Sequence, residues 1–299
     1  MNMKAVIFGG SGFIGSHLAD YLLEKGFQVR IFDICKSIYL KPGHEMMIGD
    51  ILNFDDVEKA VIGCDYIYNF AGIADINEAF EKPFDTVKLN ILGNVHILEA
   101  IKKHGCKRFI YASTLYVYSD SGGFYKCSKQ ASEIYIETYH RHFGINYTIM
   151  RFGTIYGPRA DSRNSVYRYI NEALKHKKIT FKGTGDELRE YIHVRDVAHL
   201  CYNVLDDEYN NQNVLISGHN PMRTRDLLSM ISEIITPGVK VSYIPIENPN
   251  EIHYKVTPFT FSPKIAKKLL SNYYLDMGQG LIECINEIYE NQNGGEFLE

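Results

Sequence analysis

The chain has 299 residues, of which 45% are hydrophobic and 23% are charged. These values are typical of a soluble globular enzyme of one large α/β domain or two smaller ones, and they exclude a disordered or collagen-like chain. The formal net charge is −4, and lysine and arginine are dispersed along the chain, which argues against a nucleic-acid-binding protein.

The first half of the chain alternates short β-rich runs with longer helical patterns, which predicts βαβ units and a parallel sheet. Several of the runs are almost continuously apolar, as buried parallel strands should be. The predicted strands cover residues 4–8, 28–32, 45–48, 66–70, 108–112 and 147–152. The predicted helices cover residues 13–25, 55–63, 84–103 and 124–143.

The pattern becomes less regular after residue 152. A turn signal at 157–159 comes before a predicted helix, a predicted strand and a glycine-rich segment. Further helical patterns follow, so that the predicted elements of this half are helices over 164–175, 194–205, 224–235 and 278–289 and a strand over 178–181. The sequence therefore predicts an N-terminal nucleotide-binding part and a separate C-terminal lobe.

The six cysteines lie far apart and form no C-x-x-C pair. Zinc sites and redox dithiols usually have close cysteine spacing, so we expect free thiols in a reducing compartment and no metal site. No apolar run approaches the roughly 20 residues that span a bilayer, and residues 5–8 end in glycines without a signal-peptide cleavage pattern. These features predict a cytoplasmic protein that binds neither membrane nor nucleic acid.

A glycine-rich loop at residues 9–15 lies between the first predicted strand and the first predicted helix. Gly9 permits the tight turn, Gly12 lets the backbone approach a pyrophosphate, and Gly15 lets the helix pack on the strand. The backbone N–H groups that follow, at Phe13 and Ile14, and the helix dipole then face the phosphates. The loop predicts dinucleotide binding.

These signals together predict an α/β fold, a Rossmann-type doubly wound parallel sheet with a smaller α/β C-terminal substrate lobe. The NAD-binding domain is predicted at residues 1–152 with about 191–217. The substrate lobe is predicted at residues 153–190 and 218–299.

Asp33 ends the second predicted strand, about 20 residues after the glycine loop, where a carboxylate can hold the adenosine ribose hydroxyls. Its charge would repel a 2′-phosphate, which favours NAD over NADP. Lys36 lies nearby and could weaken that selectivity. The alternative is that Asp33 is only a solvated strand end.

The strongest catalytic signal is Thr114 at the end of the fifth strand, followed by Tyr125 and Lys129 four residues apart. On a helix, residues at this spacing share one face. A free tyrosine has a pKa near 10, and an adjacent ammonium favours its phenolate. A Y-x-x-x-K pair alone is common as a solvated helix face; the order of glycine loop, acid, Ser-Thr strand end and this pair makes it specific.

The chain resembles the short-chain dehydrogenase/reductase superfamily, and within it the extended, nucleotide-sugar-modifying branch of epimerases and dehydratases. The resemblance covers nearly the whole chain. Besides the loop and the Y-x-x-x-K pair, it is carried by the segments at 50–51, 70–72, 90–93, 151–158 and 183–194.

The resemblance implies that Tyr125 is the catalytic base, that Lys129 activates it and holds the nicotinamide ribose, and that Thr114 is the hydroxyl partner. It also implies NAD contacts along the N-terminal half. The cofactor-binding residues so implied are Gly9, Gly12, Phe13, Ile14, Gly15, Asp33, Asp50, Ile51, Phe70, Ala71, Gly72, Asn90, Ser113, Tyr125, Lys129 and Phe152.

Three features depart from the family pattern. The segment between Thr114 and Tyr125 is short, so we expect a small lid over the sugar. Leu115 and Tyr116 stand where 4,6-dehydratases place Asp-Glu, which removes the acid and base for dehydration. Thr154 stands where epimerases commonly have Asn, which weakens the expectation of a diphosphate contact there.

The resemblance assigns a nucleoside diphosphate to the C-terminal lobe. Arg189 matches the family arginine, whose guanidinium fork suits phosphate, although a structural salt bridge is the alternative. Asn164 begins the helix that meets the nucleotide, and Arg223 is a weaker candidate. The predicted substrate residues are Ala74, Thr154, Asn164, Arg189 and Arg223. Residues 253–264 offer no convincing second phosphate arginine.

We expect an oxidoreductase that oxidises the C4 hydroxyl of a nucleotide-activated sugar to a 4-keto sugar, with Tyr125 as base and NAD as hydride acceptor. Release of the keto sugar makes a dehydrogenase, which the short segment favours; return of the hydride makes a 4-epimerase. A keto-sugar reductase and a non-catalytic NAD-binding sensor are further alternatives.

His193, although followed by Asp196, is expected to be a packed histidine. The resemblance also implies a homodimer through helices near 84–103 and 124–143.

Overall fold

The computed structural model describes residues 3–235, 238–244, 256–257, 267–269 and 274–293. The chain divides into two compact units. The first comprises Met1–Phe152, Ala198–Ile216 and Pro258–Leu269, and the second comprises Gly153–Val197, Ser217–Thr257 and Leu270–Glu299.

The described strands are β1 (Lys4–Phe8), β2 (Gln28–Asp33), β3 (His44–Ile48), β4 (Tyr66–Asn69), β5 (Arg108–Thr114), β6 (Tyr147–Phe152), β7 (Thr154–Tyr156), β8 (Lys178–Lys182), β9 (Leu188–Arg189), β10 (Tyr191–His193), β11 (Gln212–Ile216), β12 (Met222–Arg223), β13 (Lys240–Ile244) and β14 (Lys267–Lys268). The described α-helices are α1 (Phe13–Glu24), α2 (Phe54–Val61), α3 (Ile76–Glu81), α4 (Pro83–Thr86), α5 (Gly93–His104), α6 (Gly123–Phe143), α7 (Ser165–His176), α8 (Val194–Asn203), α9 (Thr224–Ile234) and α10 (Met277–Asn293).

The first unit is built on one parallel sheet. Its strand order, over the residues that the structure describes, is β14-β11-β6-β5-β4-β1-β2-β3, and every neighbouring pair is parallel. The order reverses direction between β1 and β4, and in open α/β sheets ligands bind outside the carboxyl ends of the strands at such a point. The predicted Rossmann-type doubly wound sheet is confirmed.

The core of this unit forms because the central strands carry apolar residues on both faces. Val6, Ile67 and Phe109 from three of the strands are fully buried in one cluster with Ile97 of α5 and Ile136 of α6. Central parallel strands are covered on both faces, which explains their lack of hydrophobic alternation.

The helical stretch predicted at 84–103 is interrupted in the structure. A π-helical turn, Val87–Leu92, separates α4 from α5. π-turns inside helices are frequent at functional sites. Here the turn carries Asn90, which is buried. The short helix α3, which precedes α4 and this turn, was not predicted from the sequence.

The described part of the second unit contains three two-stranded sheets. Strand β10 pairs parallel with β7, β13 pairs parallel with β8, and β12 pairs antiparallel with β9. Helices α7, α9 and α10 supply its apolar core, which includes Val166, Ile170, Leu227, Ile231 and Leu281. Its described strands have only two to five residues, too short for a clear pattern of alternating polarity.

The two units differ from the predicted division in two segments. Residues 191–197 lie in the second unit, because β10 pairs with β7. Strand β14 lies in the first unit, because it adds to the sheet edge at β11. Both segments are placed by strand pairing, which local patterns do not specify.

Two further findings concern the cysteines and the helices. The cysteines are free thiols. None of the helices in the described part of the chain is both long and apolar enough to span a bilayer.

Candidate active site

The glycine loop after β1 lies against the start of the loop after β4. A Cβ on Gly9 would lie 2.8 Å from the backbone nitrogen of Ala71, and Gly9 has φ +76°. A Cβ on Gly15 would overlap the Gly9 carbonyl oxygen, whereas one on exposed Gly12 would approach only that oxygen, at 3.3 Å. Gly9 and Gly15 are thus required for close packing, while Gly12 leaves the outer side of the loop open, as the approach of a pyrophosphate needs.

Asp33 at the end of β2 supports the same loop. Its Oδ2 accepts a hydrogen bond from the backbone N–H of Ser11 at 3.0 Å, and the Ser11 hydroxyl donates to the carbonyl of Cys35 at 3.0 Å. The Cys35 thiol donates to Asp33 Oδ1 over 3.7 Å; partial burial and then the Asp33 charge raise the pKa of this thiol. The loop and the predicted ribose-binding acid are therefore one assembly.

The predicted adenine-flanking residues lie after β3. Asp50 is exposed, and its Oδ1 accepts from the backbone N–H of Leu52 at 2.9 Å. Ile51 is buried, and a Cβ on Gly93 of α5 would lie 3.0 Å from its side chain. Gly93, the last residue of the family segment 90–93, therefore gives Ile51 the room it occupies.

Asn90 holds the loop after β4, which contains Phe70, Ala71 and Gly72. Its Oδ1 accepts from the Ile73 N–H at 2.8 Å, and its Nδ2 donates to the Ile73 carbonyl at 3.0 Å and to the Ser128 hydroxyl at 2.9 Å. Because these bonds use both amide hydrogens and the amide oxygen, the structure assigns the Asn90 side chain to loop support. Its cofactor contact stays a prediction.

Thr114 ends β5 and is buried. Its Oγ1 accepts a hydrogen bond from the backbone N–H of Tyr116 at 3.2 Å, as the cap of a short 3₁₀ turn. A hydroxyl that accepts in this way keeps its proton for donation. Thr114 can therefore donate a hydrogen bond to a substrate oxygen, the role predicted for it.

Tyr125 lies in the first turn of α6 and is half-buried. The ring of Tyr116 meets its ring edge-on, with centroids 6.3 Å apart. The Lys129 ammonium lies 5.8 Å from the centroid of the Tyr125 ring. The structure thus brings the predicted base and the predicted activating cation together on one helix face.

Lys129 is almost completely buried. Its Nζ donates to the carbonyl of Ala112 at 2.8 Å and lies 4.9 Å from the centroid of the Tyr111 ring. Burial lowers the pKa of Lys129 to about 8, while the negative charge of Glu133 acts in the opposite direction. At neutral pH the residue is therefore still mainly cationic.

Ser113 reveals a group of residues that the sequence analysis missed. Its hydroxyl donates to Glu133 Oε1 at 2.6 Å, and Glu133 is paired with Arg151. The available signals were a glutamate four residues after Lys129, hence on the same helix face, and an arginine inside the apolar run of β6. Phe152, next to Arg151, has its ring centroid 6.3 Å from that of Phe70.

The predicted substrate residues of the second unit lie on separate elements. Asn164 is the N-cap of α7: its Oδ1 accepts from the N–H groups of Val166 and Tyr167, and its Nδ2 donates to the Ile155 carbonyl. Thr154 is half-buried on β7. Among the predicted substrate residues, Ala74 alone lies in the first unit, where it is exposed.

Arg189 and Arg223 lie on the paired strands β9 and β12. Their register places Arg189 opposite Met222 and Arg223 opposite Leu188. Directly opposed residues share a face and successive residues alternate, so the two arginines lie on opposite faces of the ribbon. The ribbon therefore does not present both arginines on one face.

Two other predictions concern the second unit. His193 is buried edge-on against Tyr156, with ring centroids 5.2 Å apart, the environment of a packed histidine. Residues 253–264, where the sequence shows no second phosphate arginine, lie outside the described residues except for 256–257.

Comparison with known proteins identifies the family. Residues 5–216 match the model of the NAD dependent epimerase/dehydratase family. The chain belongs to this family. Among similar proteins, a UDP-glucuronate 4-epimerase of Thermodesulfobacterium geofontis is 25% identical, over 96% of both chains. A UDP-N-acetyl-alpha-D-glucosaminuronate decarboxylase of Bacillus cytotoxicus is 27% identical, over 98% of this chain and 100% of the relative.

A similar solved structure is that of a UDP-glucose 4-epimerase from Thermotoga maritima. It has a TM-score of 0.84 and 22% sequence identity, and the match covers 97% of this chain and 100% of that one. The likeness shows that the fold is that of the family. The predicted family and the predicted cofactor, NAD, are confirmed, and this family member is an NAD-dependent enzyme.

The residues present fit that cofactor. Gly12 leaves the outer side of the loop without a side chain, and Asp33 is already oriented by Ser11. The buried ammonium of Lys129 bonds a backbone carbonyl rather than a carboxylate, so it keeps N–H donors for a ribose hydroxyl.

Proposed function

We propose that this family member is a nucleotide-sugar 4-epimerase, which oxidises the C4 hydroxyl of a nucleoside-diphosphate sugar and reduces the resulting ketone on its other face. The arrangement of Thr114, Tyr125 and Lys129 at the carboxyl end of β5 and the start of α6 carries the proposal. The two positions after Thr114, held by Leu115 and Tyr116, lack the acid–base pair that dehydration requires.

Each residue has a distinct role in this proposal. Tyr125, as phenolate, accepts the proton of the C4 hydroxyl at its Oη and returns it in the reverse step. Thr114 donates a hydrogen bond to the same oxygen and so orients it. The positive charge of Lys129 stabilises the phenolate. Bound NAD, held by the glycine loop, Asp33 and Lys129, supplies the hydride acceptor and donor.

Similar proteins favour return of the hydride over release of the ketone, because those found include 4-epimerases from several organisms. The short segment between Thr114 and Tyr125 favours release. Release, which makes the enzyme a dehydrogenase, is therefore the second candidate. The relatives also include decarboxylases of uronic acid sugars, so a substrate with a C6 carboxylate belongs in the test.

The experiment is incubation of the NAD-loaded protein with UDP-glucose, UDP-N-acetylglucosamine, UDP-glucuronate and matching GDP- and dTDP-sugars. Product NMR and nicotinamide absorbance are followed together. We expect a C4 epimer to form without accumulation of reduced cofactor. Stoichiometric cofactor reduction without an epimer would establish the dehydrogenase, and loss of carbon dioxide from the uronate would establish a decarboxylase.

Tyr125→Phe is the variant that tests the base. Because Phe keeps the ring contact with Tyr116 but has no proton acceptor, we expect turnover to fall by about 10³-fold or more. Unchanged melting temperature and NAD affinity serve as controls. Near-native turnover of a correctly folded Tyr125→Phe protein would exclude the proposed mechanism, and no turnover of any sugar by the wild type would favour a sensor.

For the substrate we propose that Arg189 binds the diphosphate, with Thr154 and Asn164 of the same unit as further contacts. Arg189 is half-buried, and its Nη1 donates to the Leu188 carbonyl at 3.0 Å. The planar guanidinium of an arginine suits the two-pronged recognition of phosphate.

We further propose a homodimer formed by helices α5 and α6. Large apolar side chains are exposed on this part of the first unit: Leu92 at 44%, Ile134 at 55%, Tyr135 at 46% and Phe143 at 51%. A second copy would cover them by helix pairing, as the family resemblance implies.

A further inference from the structure

A buried ion pair joins α6, the helix of Tyr125 and Lys129, to strand β6. Glu133 of α6 is 1% exposed and Arg151 of β6 is 0% exposed. Arg151 donates from Nε to Glu133 Oε1 at 3.0 Å and from Nη2 to Oε2 at 2.7 Å, so the pair is bidentate. Geometry of this kind gives the strongest and most directional bonds between charged side chains.

The pair also binds two neutral residues. The Ser113 hydroxyl donates to Glu133 Oε1 at 2.6 Å, and Arg151 Nη1 donates to the hydroxyl of Tyr118. The Arg151 guanidinium carbon lies 4.7 Å from the centroid of the Tyr118 ring. The four residues come from the end of β5, the segment that follows it, the middle of α6 and the end of β6.

These contacts attach α6 to the strand that ends in Thr114. Lys129 donates to the carbonyl of Ala112, while Glu133, one helical turn later, accepts from Ser113. Two successive turns of α6 are therefore bonded to two successive residues of β5, immediately before Thr114. The relative placement of Thr114 and Tyr125 depends on this double attachment.

We propose that Glu133 and Arg151 are positioning residues: the pair fixes α6 against the end of β5 and places the Glu133 carboxylate one helical turn after Lys129. This inference deepens the proposed function, because it assigns the residues that keep its base and cation in place. No chemistry takes place on the pair itself.

The electrostatic part follows from the groups around Lys129. Tyr111 faces it from β5, Tyr125 lies on its own helix, and Glu133, on the same helix, is the charge that opposes the effect of burial. Loss of the Glu133 charge removes that stabilisation and leaves Arg151 as an uncompensated cation. Both changes lower the pKa of Lys129, so the ammonium is lost at a lower pH, and the phenolate of Tyr125 loses its stabilising charge.

The test is a tyrosinate titration of the NAD-loaded protein, which needs no sugar. Near-ultraviolet absorbance is measured against pH for wild type and for Glu133→Gln. The absorbance of the matching protein that also carries Tyr125→Phe is then subtracted from each curve, so that the difference reports the ionisation of Tyr125 alone. We expect the Tyr125 phenol of Glu133→Gln to titrate about one pH unit higher than that of wild type. With the substrate found by the sugar panel, kcat should fall about tenfold at neutral pH while KM changes less than about twofold.

Glu133→Gln leaves Arg151 buried without its carboxylate, which costs stability, so this variant can fail to fold. Two milder variants keep the test decisive in that case. Ser113→Ala removes the hydroxyl that donates to Glu133. Tyr118→Phe removes the hydroxyl that accepts from Arg151. Each leaves the ion pair between Glu133 and Arg151 intact. Both variants keep the Glu133 charge, so we expect neither to move the titration far. Because each removes a contact that holds the pair in place, we expect kcat to fall about threefold with little change in KM.

Thr148→Val is the matched control on the same strand as Arg151, because it loses only the buried hydrogen bond from Thr148 to the Tyr209 carbonyl. We expect it to lower the melting temperature without moving the titration. If the folded Glu133→Gln protein titrates like wild type, or if the folded Ser113→Ala protein keeps the kcat of wild type, the pair has a purely structural role and the proposal is wrong. A shifted titration in a protein that turns over no sugar would leave the positioning role standing and overturn the proposed function instead.

Discussion

At the scale of single residues, Asp33 supports the glycine loop from the end of β2: one carboxylate oxygen accepts from the Ser11 N–H. The sequence also predicts that this side chain selects the cofactor, so loop geometry and cofactor choice would depend on the same residue. A negative charge at this position favours a ribose with free hydroxyls and repels a 2′-phosphate. A test at Asp33 must therefore distinguish the effect of its negative charge from that of its hydrogen bond with the Ser11 N–H.

Asp33→Ala and Asp33→Asn make that separation. We expect wild type to bind NAD at least about tenfold more tightly than NADP, since a charged hydrogen bond contributes about 1.5–3 kcal/mol. Asp33→Asn keeps an acceptor for Ser11 and should narrow the preference with little loss of stability, whereas Asp33→Ala should lose both the preference and NAD affinity. Calorimetric titration with each cofactor measures this; equal wild-type affinities would refute the assignment.

At the scale of elements, the start of α7 is set by a residue for which we also propose a binding role. Asn164 caps this helix with two backbone hydrogen bonds to its side-chain oxygen, and the sequence also placed it among the substrate residues. The N-cap explains why the helix begins where it does, one residue later than the predicted start. A helix N-terminus with free N–H groups also favours phosphate.

Asn164→Ala and Asn164→Ser distinguish the two roles. Because Ala cannot cap, we expect Asn164→Ala to lower the free energy of unfolding by about 1 kcal/mol, and Ser to restore most of it. If Asn164 also binds the nucleotide, KM should rise in both variants, since the Ser side chain has no amide. Urea denaturation and steady-state kinetics supply the two readouts. A KM that stays at the wild-type value in both would limit Asn164 to the cap.

At the scale of the whole molecule, the exposed apolar side chains of α6 and of the π-turn before α5 support the proposed assembly. Ile134 is the most exposed of those on α6, and it lies on the solvent side of the helix whose other face carries Lys129 and Glu133. A dimer through α6 would therefore stabilise the helix that holds the catalytic residues without using them.

Ile134→Glu tests the dimer. A charge in the centre of a helix–helix interface is costly to bury, so we expect this variant to shift from dimer to monomer in light scattering at micromolar concentration. Ile282→Glu, at a residue of α10 that is 41% exposed, is the matched control and should leave the mass unchanged. A wild-type protein that is already monomeric would reject the homodimer.

The sequence by itself determined the parallel sheet, the glycine loop and the shared helix face of Tyr125 and Lys129, because each depends on local spacing. Apolar runs define buried strands, glycines define a turn with little room, and a separation of four defines one helix face. For the same reason the central strands β1, β5 and β6 lie within two residues of their predicted bounds.

Tertiary structure alone decided which distant segments meet. The π-turn at Asn90 forms where the side chain bonds the loop after β4, and β14 and β10 are assigned to units by their pairing partners. Glu133 and Arg151 are 18 residues apart in sequence yet share a bidentate bond. A buried charge is stable only beside its partner, and the partner is defined by the packing of α6 against the sheet, which no local pattern contains.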